Sequence, residues 1–202
     1  MTADIDIDTN IDSASPPSEH RHVGAYVEML ISSLIGLVAS LILSIEAITL
    51  ATNPAAVLSC DISSKISCGV VAQTWQAQLF GWPNSFLGLI AEPVVITVAV
   101  AALGGVRFPR WFMLTAQAIY TLGFLFAWWL FYQSYFVIGA LCPWCLLITI
   151  TTTLVFMSMS RVNILDGNFG AGITRALTPA LSWWVDVWVS VLIIAALAAA
   201  VI

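Results

Sequence analysis

Five long apolar runs constrain this chain more than any other feature, at roughly 25–50, 85–106, 111–133, 140–160 and 183–202. A helix needs about 20 predominantly apolar residues to cross the hydrocarbon of a bilayer, and each run supplies that length. Hydrophobic residues make up 60% of the sequence and charged residues 8%, so little chain is left for a soluble domain. The expected fold class is therefore all-α integral membrane protein. The first run follows an acidic tail and is long enough to span, so it is expected to stay in the bilayer as the first span and not to be removed as a signal peptide.

Residues 1–23 form that tail. Asp4, Asp6, Asp8 and Asp12 alternate with Ile and Thr, and a Ser/Pro-rich stretch follows, which offers too little apolar surface to order. The D-x-D-x-D start has Thr9 where a calcium loop requires glycine and Ser15 where it requires its closing glutamate, so that reading is rejected. The net charge of −5 comes with no basic patch, and no nucleic-acid partner is expected.

Orientation follows from the basic residues, which are retained on the cytoplasmic side of spans. Five of the six Lys and Arg residues agree: Arg21, Arg107, Arg110, Arg161 and Arg175 all fall on one side if the N-terminus is cytoplasmic. Only Lys65 falls on the other. The 52–84 loop and the 134–139 turn then face the extracytoplasmic space, with Trp82, Trp128, Trp129 and Tyr135 near that interface. The 161–182 segment is a cytoplasmic loop, and 183–202 the last span.

All four cysteines map to the extracytoplasmic side, an oxidising compartment. Cys142 and Cys145 form C-P-W-C at the start of the fourth span, and positions i and i+3 of a helix are close enough to bridge. Pro143 suits the first helical position, which puts Cys142 at the N-cap, where free N–H groups and the positive dipole end favour a thiolate. Cys60 and Cys68 flank a polar, Ser-rich hairpin that can close a disulfide and can also swing, with Lys65 between the sulfurs. The stretch from Gly69 to Phe80 carries Val71, Trp75 and Leu79 among Gln73, Gln76 and Gln78, which predicts a short interfacial helix holding Cys68 near Cys142 while Cys60 stays reachable from outside. Two inert structural disulfides on a membrane scaffold are the competing reading, although a C-x-x-C bridge closes too short a loop to stabilise much. A tetrathiolate zinc site fits one pair and not the other.

Taken in order, C-D-I-S-S-K-I-S-C, P-N-S-F-L-G and C-P-W-C resemble the bacterial form of the vitamin K epoxide reductase family, over the first four spans. The resemblance implies a four-helix transmembrane bundle around a quinone, residues 24–160, with a half-helix in the first extracytoplasmic loop and a fifth transmembrane helix added. It implies that Cys142–Cys145 is the active-site disulfide, with Cys145 nearest the quinone, and that Cys60 and Cys68 shuttle electrons to it. Asn84 matches the residue that hydrogen-bonds a quinone carbonyl, a helix N-cap being its other reading. Thr149, one turn below Cys145, is expected to line the same pocket, together with Thr74 and Leu87. The quinone, menaquinone or ubiquinone, sits in the bilayer of a bacterial inner membrane. Many bacterial relatives carry a fused thioredoxin-like domain after the last span, and this sequence ends at Ile202, so the expected partner is a separate extracytoplasmic thioredoxin-fold protein of the DsbA type. A reductase running the other way would need cysteines open to the cytoplasm. Glu92 is expected to face freed carbonyls or the cavity, and Glu46 and Asp186 to reach an interface.

Overall fold

A computed structural model describes residues 22–182 together with 191, 192 and 195. The acidic tail with Arg21, and the expected fifth span with Asp186, lie outside the described residues. In chain order the elements are α1 (Val23–Thr52), α2 (Cys68–Ala72), a 3-10 turn (Trp75–Gln78), α3 (Ser85–Leu103), α4 (Arg110–Tyr132) running into a π turn (Gln133–Ile138), α5 (Pro143–Leu165) and α6 (Ala171–Ser182). The protein is mostly helical, and α1, α3, α4 with its π turn, and α5 are long and apolar enough to cross a membrane.

Small and polar residues share the interior of the bundle with an apolar cluster of Met29, Val95, Tyr120, Val155 and Met159. On α1 the middle of the buried face is small, with Ser32, Ser33, Gly36, Ala39, Ser40 and Ser44 between Met29 and Leu50, whereas Ile31, Val38 and Ile45 are exposed. Lipid tails are as apolar as leucine, so burying large side chains gains little there, and close backbone approach through small residues drives the packing instead. Two of the serine hydroxyls bond back into α1, Ser33 Oγ donating to Met29 O (2.6 Å) and Ser44 Oγ to Ser40 O (2.7 Å). Gly88 on α3 is the tightest point. A Cβ there would lie 2.1 Å from Ser40 Oγ, so only glycine lets α3 pass α1 at this depth. α1 packs on α3 and α5, and α5 also on α4. α3 and α4 are bridged instead by Tyr120 Oη, which donates to Glu92 Oε1 at 3.4 Å.

Hydrogen bonds tie one end of the bundle together. His22 Nε2 meets Asp166 at 3.0 Å, Arg110 Nε donates to Asn168 O at 2.7 Å, and Asn168, Asn163, Gln117 and Ser160 form a chain of side-chain amides and hydroxyl. Arg107, Arg110 and Arg161 lie at this end, and the four cysteines at the other.

Two local expectations need correcting. The 161–182 segment is not simply a loop: α5 continues to Leu165, Gly167 and Gly170 turn the chain at φ 72° and 97°, and the Ala/Leu-rich stretch that follows forms α6 against α5. The interfacial helix is two pieces, because Thr74 takes an extended conformation (φ −81°, ψ 152°) and its hydroxyl donates to Val71 O at 2.7 Å. Trp128 also ties α4 to α5, its Nε1 donating to Thr153 Oγ1 at 3.2 Å.

Candidate active site

The loop and α5 meet through one isolated parallel bridge. Ser67 N–H donates to Leu141 O (3.0 Å) and Leu141 N–H to Lys65 O (2.8 Å), so Ile66 lies beside Leu141, and Cys68, two residues past Ile66, meets Cys142, the residue after Leu141. Their sulfurs are 3.2 Å apart, both almost fully buried. Cys60 and Cys68 are joined as a disulfide, while Cys142 and Cys145 are free thiols. Three sulfurs thus lie in sequence, Cys60 bonded to Cys68 and Cys68 in contact with Cys142, and Cys145 follows one turn along α5.

Cys142 is the N-cap of α5 and Pro143 occupies the first turn, as the sequence predicts. Its sulfur accepts the Cys145 N–H at 3.3 Å, an arrangement in which the orphan donors and positive end of a helix stabilise a thiolate. Ser67 caps α2 in the same way, accepting Val70 N–H at 3.2 Å, so both exchanging cysteines sit at helix starts.

Asp61 fixes the loop. Its carboxylate accepts Ser67 Oγ (2.6 Å), Gly69 N–H (2.9 Å) and Leu58 N–H (2.9 Å), tying both ends of the hairpin to one group. The Ser67 hydroxyl first, then these backbone N–H groups, hold the carboxyl below the usual aspartate range. Gly69 leaves room for this, since a Cβ there would crowd Asp61 Oδ2 at 3.0 Å. The staple draws Cys60 down among Leu50, Leu58, Val71 and Ala140, leaving it only 6% exposed. Cys60 is therefore not open to the outside as expected.

Below the cysteines a cavity of about 200 Å³ runs into the bundle between α1, α3, α4 and α5. Cys68, Cys142, Cys145, Thr74, Asn84, Leu87 and Thr149 all line it, so every residue that the sequence singled out for the ligand is brought to one space. Lys65, by contrast, does not line it. Asn84 stands at the N-cap position of α3 but makes no capping bond. Its Nδ2 donates to Gln76 O (2.6 Å), which leaves a second N–H, and its Oδ1 is buried without a partner. Thr149 and Thr74 spend their hydroxyl protons on Cys145 O (2.9 Å) and Val71 O, so they present only acceptor lone pairs to the cavity. Glu92, 4% exposed, lines the deep end with Oε2 unpartnered. Apolar walls with a few unsatisfied polar groups fit a flat ring bearing carbonyls.

Glu46 was missed by sequence reasoning, which placed it at an interface. It is 8% exposed, and both carboxylate oxygens lie 3.5 Å from Cys60 Sγ. An acidic residue near the end of an apolar run was the available signal.

Cysteine pairs in sulfur contact across the mouth of a transmembrane bundle define a membrane thiol-disulfide oxidoreductase. Residues 27–160, spanning all four described membrane helices, match the model of the vitamin K epoxide reductase family, and the chain belongs to that family. No curated protein matches it.

Proposed function

We propose that the protein reoxidises an extracytoplasmic thioredoxin-fold partner of the DsbA type and delivers the electrons to a membrane quinone, supporting disulfide formation in secreted proteins. The 3.2 Å approach of Cys68 to Cys142, at the head of a cavity that Cys145 and Asn84 share, carries this reading. The Arg residues at the far end of the bundle support an orientation with that end cytoplasmic in a bacterial cell membrane.

In the relay, a partner thiolate attacks Cys60 when the hairpin lifts, Cys68 leaves, and the partner's second thiol resolves the mixed disulfide. The loop pair is then reduced. Cys68 attacks Cys142 of the Cys142–Cys145 bridge and frees Cys145; Cys60 then attacks Cys68 and frees Cys142. That sequence ends with Cys60–Cys68 bridged and both C-x-x-C thiols loaded, the same arrangement of bonds as in this structure. A bound quinone supplies the two-electron acceptor that restores the Cys142–Cys145 bridge. The free Asn84 N–H orients its carbonyl and favours charge developing there, and the apolar walls exclude water.

The test is quinone reduction in membranes by a reduced thioredoxin-fold donor. The wild-type chain gives a steady rate, Cys142→Ala abolishes it, and Cys60→Ala loses the protein donor but regains part of the rate with a small dithiol. Equal rates in all three refute the relay and leave a scaffold with structural disulfides.

A further inference from the structure

Glu46 is an acidic side chain buried near the end of a membrane helix, and among the described residues no cation pairs with it. Its contacts are Ser59 Oγ, which donates at 3.2 Å, and the sulfur of Cys60. One carboxylate oxygen and the sulfurs of Cys60 and Cys68 all lie within 4.8 Å of one another. With both sulfurs held in a disulfide, the group does not offer two thiolates to a metal, and thiol chemistry is what remains.

A thiolate in water is a good leaving group and needs no acid. Cys60 is not in water: it is 6% exposed and belongs to one buried cluster with Leu50, Leu58, Val71 and Ala140, and a bare thiolate there loses most of its solvation. An ionised carboxylate 3.5 Å away adds direct repulsion in a medium of low dielectric. The two groups can therefore hold one negative charge between them, and a proton must cross whenever Cys60 changes its bonding.

We propose that Glu46 is a catalytic acid and base for Cys60, taking its proton when Cys60 closes on Cys68 and returning it when the bridge is reopened. This rests on the relay reading above and supplies its proton path. In the closing step the Cys60 S–H gives its proton to the Glu46 carboxylate, the Cys60–Cys68 bond forms, and the Cys68–Cys142 bond breaks with its electron pair left on Cys142. Electrons and atoms balance without an added oxidant. In the opening step the partner's second thiol displaces Cys60, and the Glu46 carboxyl protonates it. The other titratable groups whose charges reach Glu46 are Asp61 on the hairpin and Cys142 and Cys145 on α5. Asp61 is held ionised by its three hydrogen bonds and contributes a constant background near neutral pH.

The experiment uses the full chain in nanodiscs with Cys145→Ser, so that the Cys68–Cys142 and Cys60–Cys68 bridges exchange without draining further. Protein trapped in acid with the Cys68–Cys142 bridge and a free Cys60 is jumped to a test pH and acid-quenched at intervals. Peptide maps give the rate at which Cys60–Cys68 replaces Cys68–Cys142. With Glu46 present the rate rises with pH and levels off once the carboxylate is formed. Glu46→Gln is at least tenfold slower at neutral pH and climbs steadily as hydroxide takes over the proton. Glu46→Asp keeps a carboxyl and retains the plateau. Wild-type rate and profile in Glu46→Gln, or loss of the plateau in Glu46→Asp, overturn the proposal while the relay stands. Failure of the Cys68–Cys142 bridge to form in any variant removes the relay and this proposal with it.

Discussion

Replacing Asp61 with alanine tests whether the hairpin is a latch over Cys60. The substitution removes three hydrogen bonds to one carboxylate, from Ser67 Oγ, Gly69 N–H and Leu58 N–H. Bonds to a charged acceptor contribute about 1.5–3 kcal/mol when desolvated, but this carboxylate faces solvent and is screened, so about 0.5–1 kcal/mol each is appropriate. The sum, roughly 1.5–3 kcal/mol, converts to about 10- to 100-fold more of the lifted hairpin, since about 1.4 kcal/mol is a factor of ten. The assay is reduction of the Cys60–Cys68 bridge by a water-soluble phosphine, followed by mass-tagging of the freed thiols. Reduction requires an exposed sulfur, and Cys60 and Cys68 are 6% and 1% exposed when the latch is closed, so the rate follows the lifted fraction. The carboxyl is held below its usual range, so its contribution is complete above the ordinary aspartate value of about 3.9 and is lost as pH falls through the lower folded value. Wild-type reduction therefore accelerates relative to Asp61→Ala only in that acidic window. A change smaller than about threefold at neutral pH would refute the latch and mean that packing on Leu50 and Val71 alone holds the hairpin.

Other substitutions probe the cavity and the helix contacts. Asn84→Ala is expected to weaken quinone binding about tenfold, one hydrogen bond's worth, read as a raised KM, while Cys68–Cys142 exchange keeps its wild-type rate. Gly88→Ala drives a methyl into Ser40 Oγ at 2.1 Å and is expected to cost about 2–3 kcal/mol, lowering the melting temperature in detergent, with Ser40→Gly restoring most of it. Gly69→Ala crowds Asp61 Oδ2 and is expected to reproduce part of the Asp61→Ala effect in the same phosphine assay.

The membrane helices and the cysteine site were legible for different reasons. Length and apolarity of a run are local properties, and each described run became a helix within a few residues of its expected bounds. Cys142 as N-cap was readable because Pro143 has one comfortable place in a helix, its first turn. Asn84, Leu87, Thr74 and Thr149 were reached through the family resemblance, whose motifs carry information from a shared fold that spacing alone does not contain.

What the sequence by itself determined was therefore the apolar solvent of the chain, the number of described spans and the end of the bundle where the cysteines gather. Only the tertiary structure decided that Glu46 touches Cys60, that Asp61 latches the hairpin and buries it, and that Gly88 is the crossing point against Ser40. Each of these joins residues from separate elements or across the turns of one hairpin, Glu46 to Cys60 at 3.5 Å, Asp61 to Ser67 at 2.6 Å, and Gly88 to Ser40 with no room for a Cβ between them. Such distances are set by how helices pack through small residues and by where a single backbone bridge pins the loop, and no local preference of the chain encodes them.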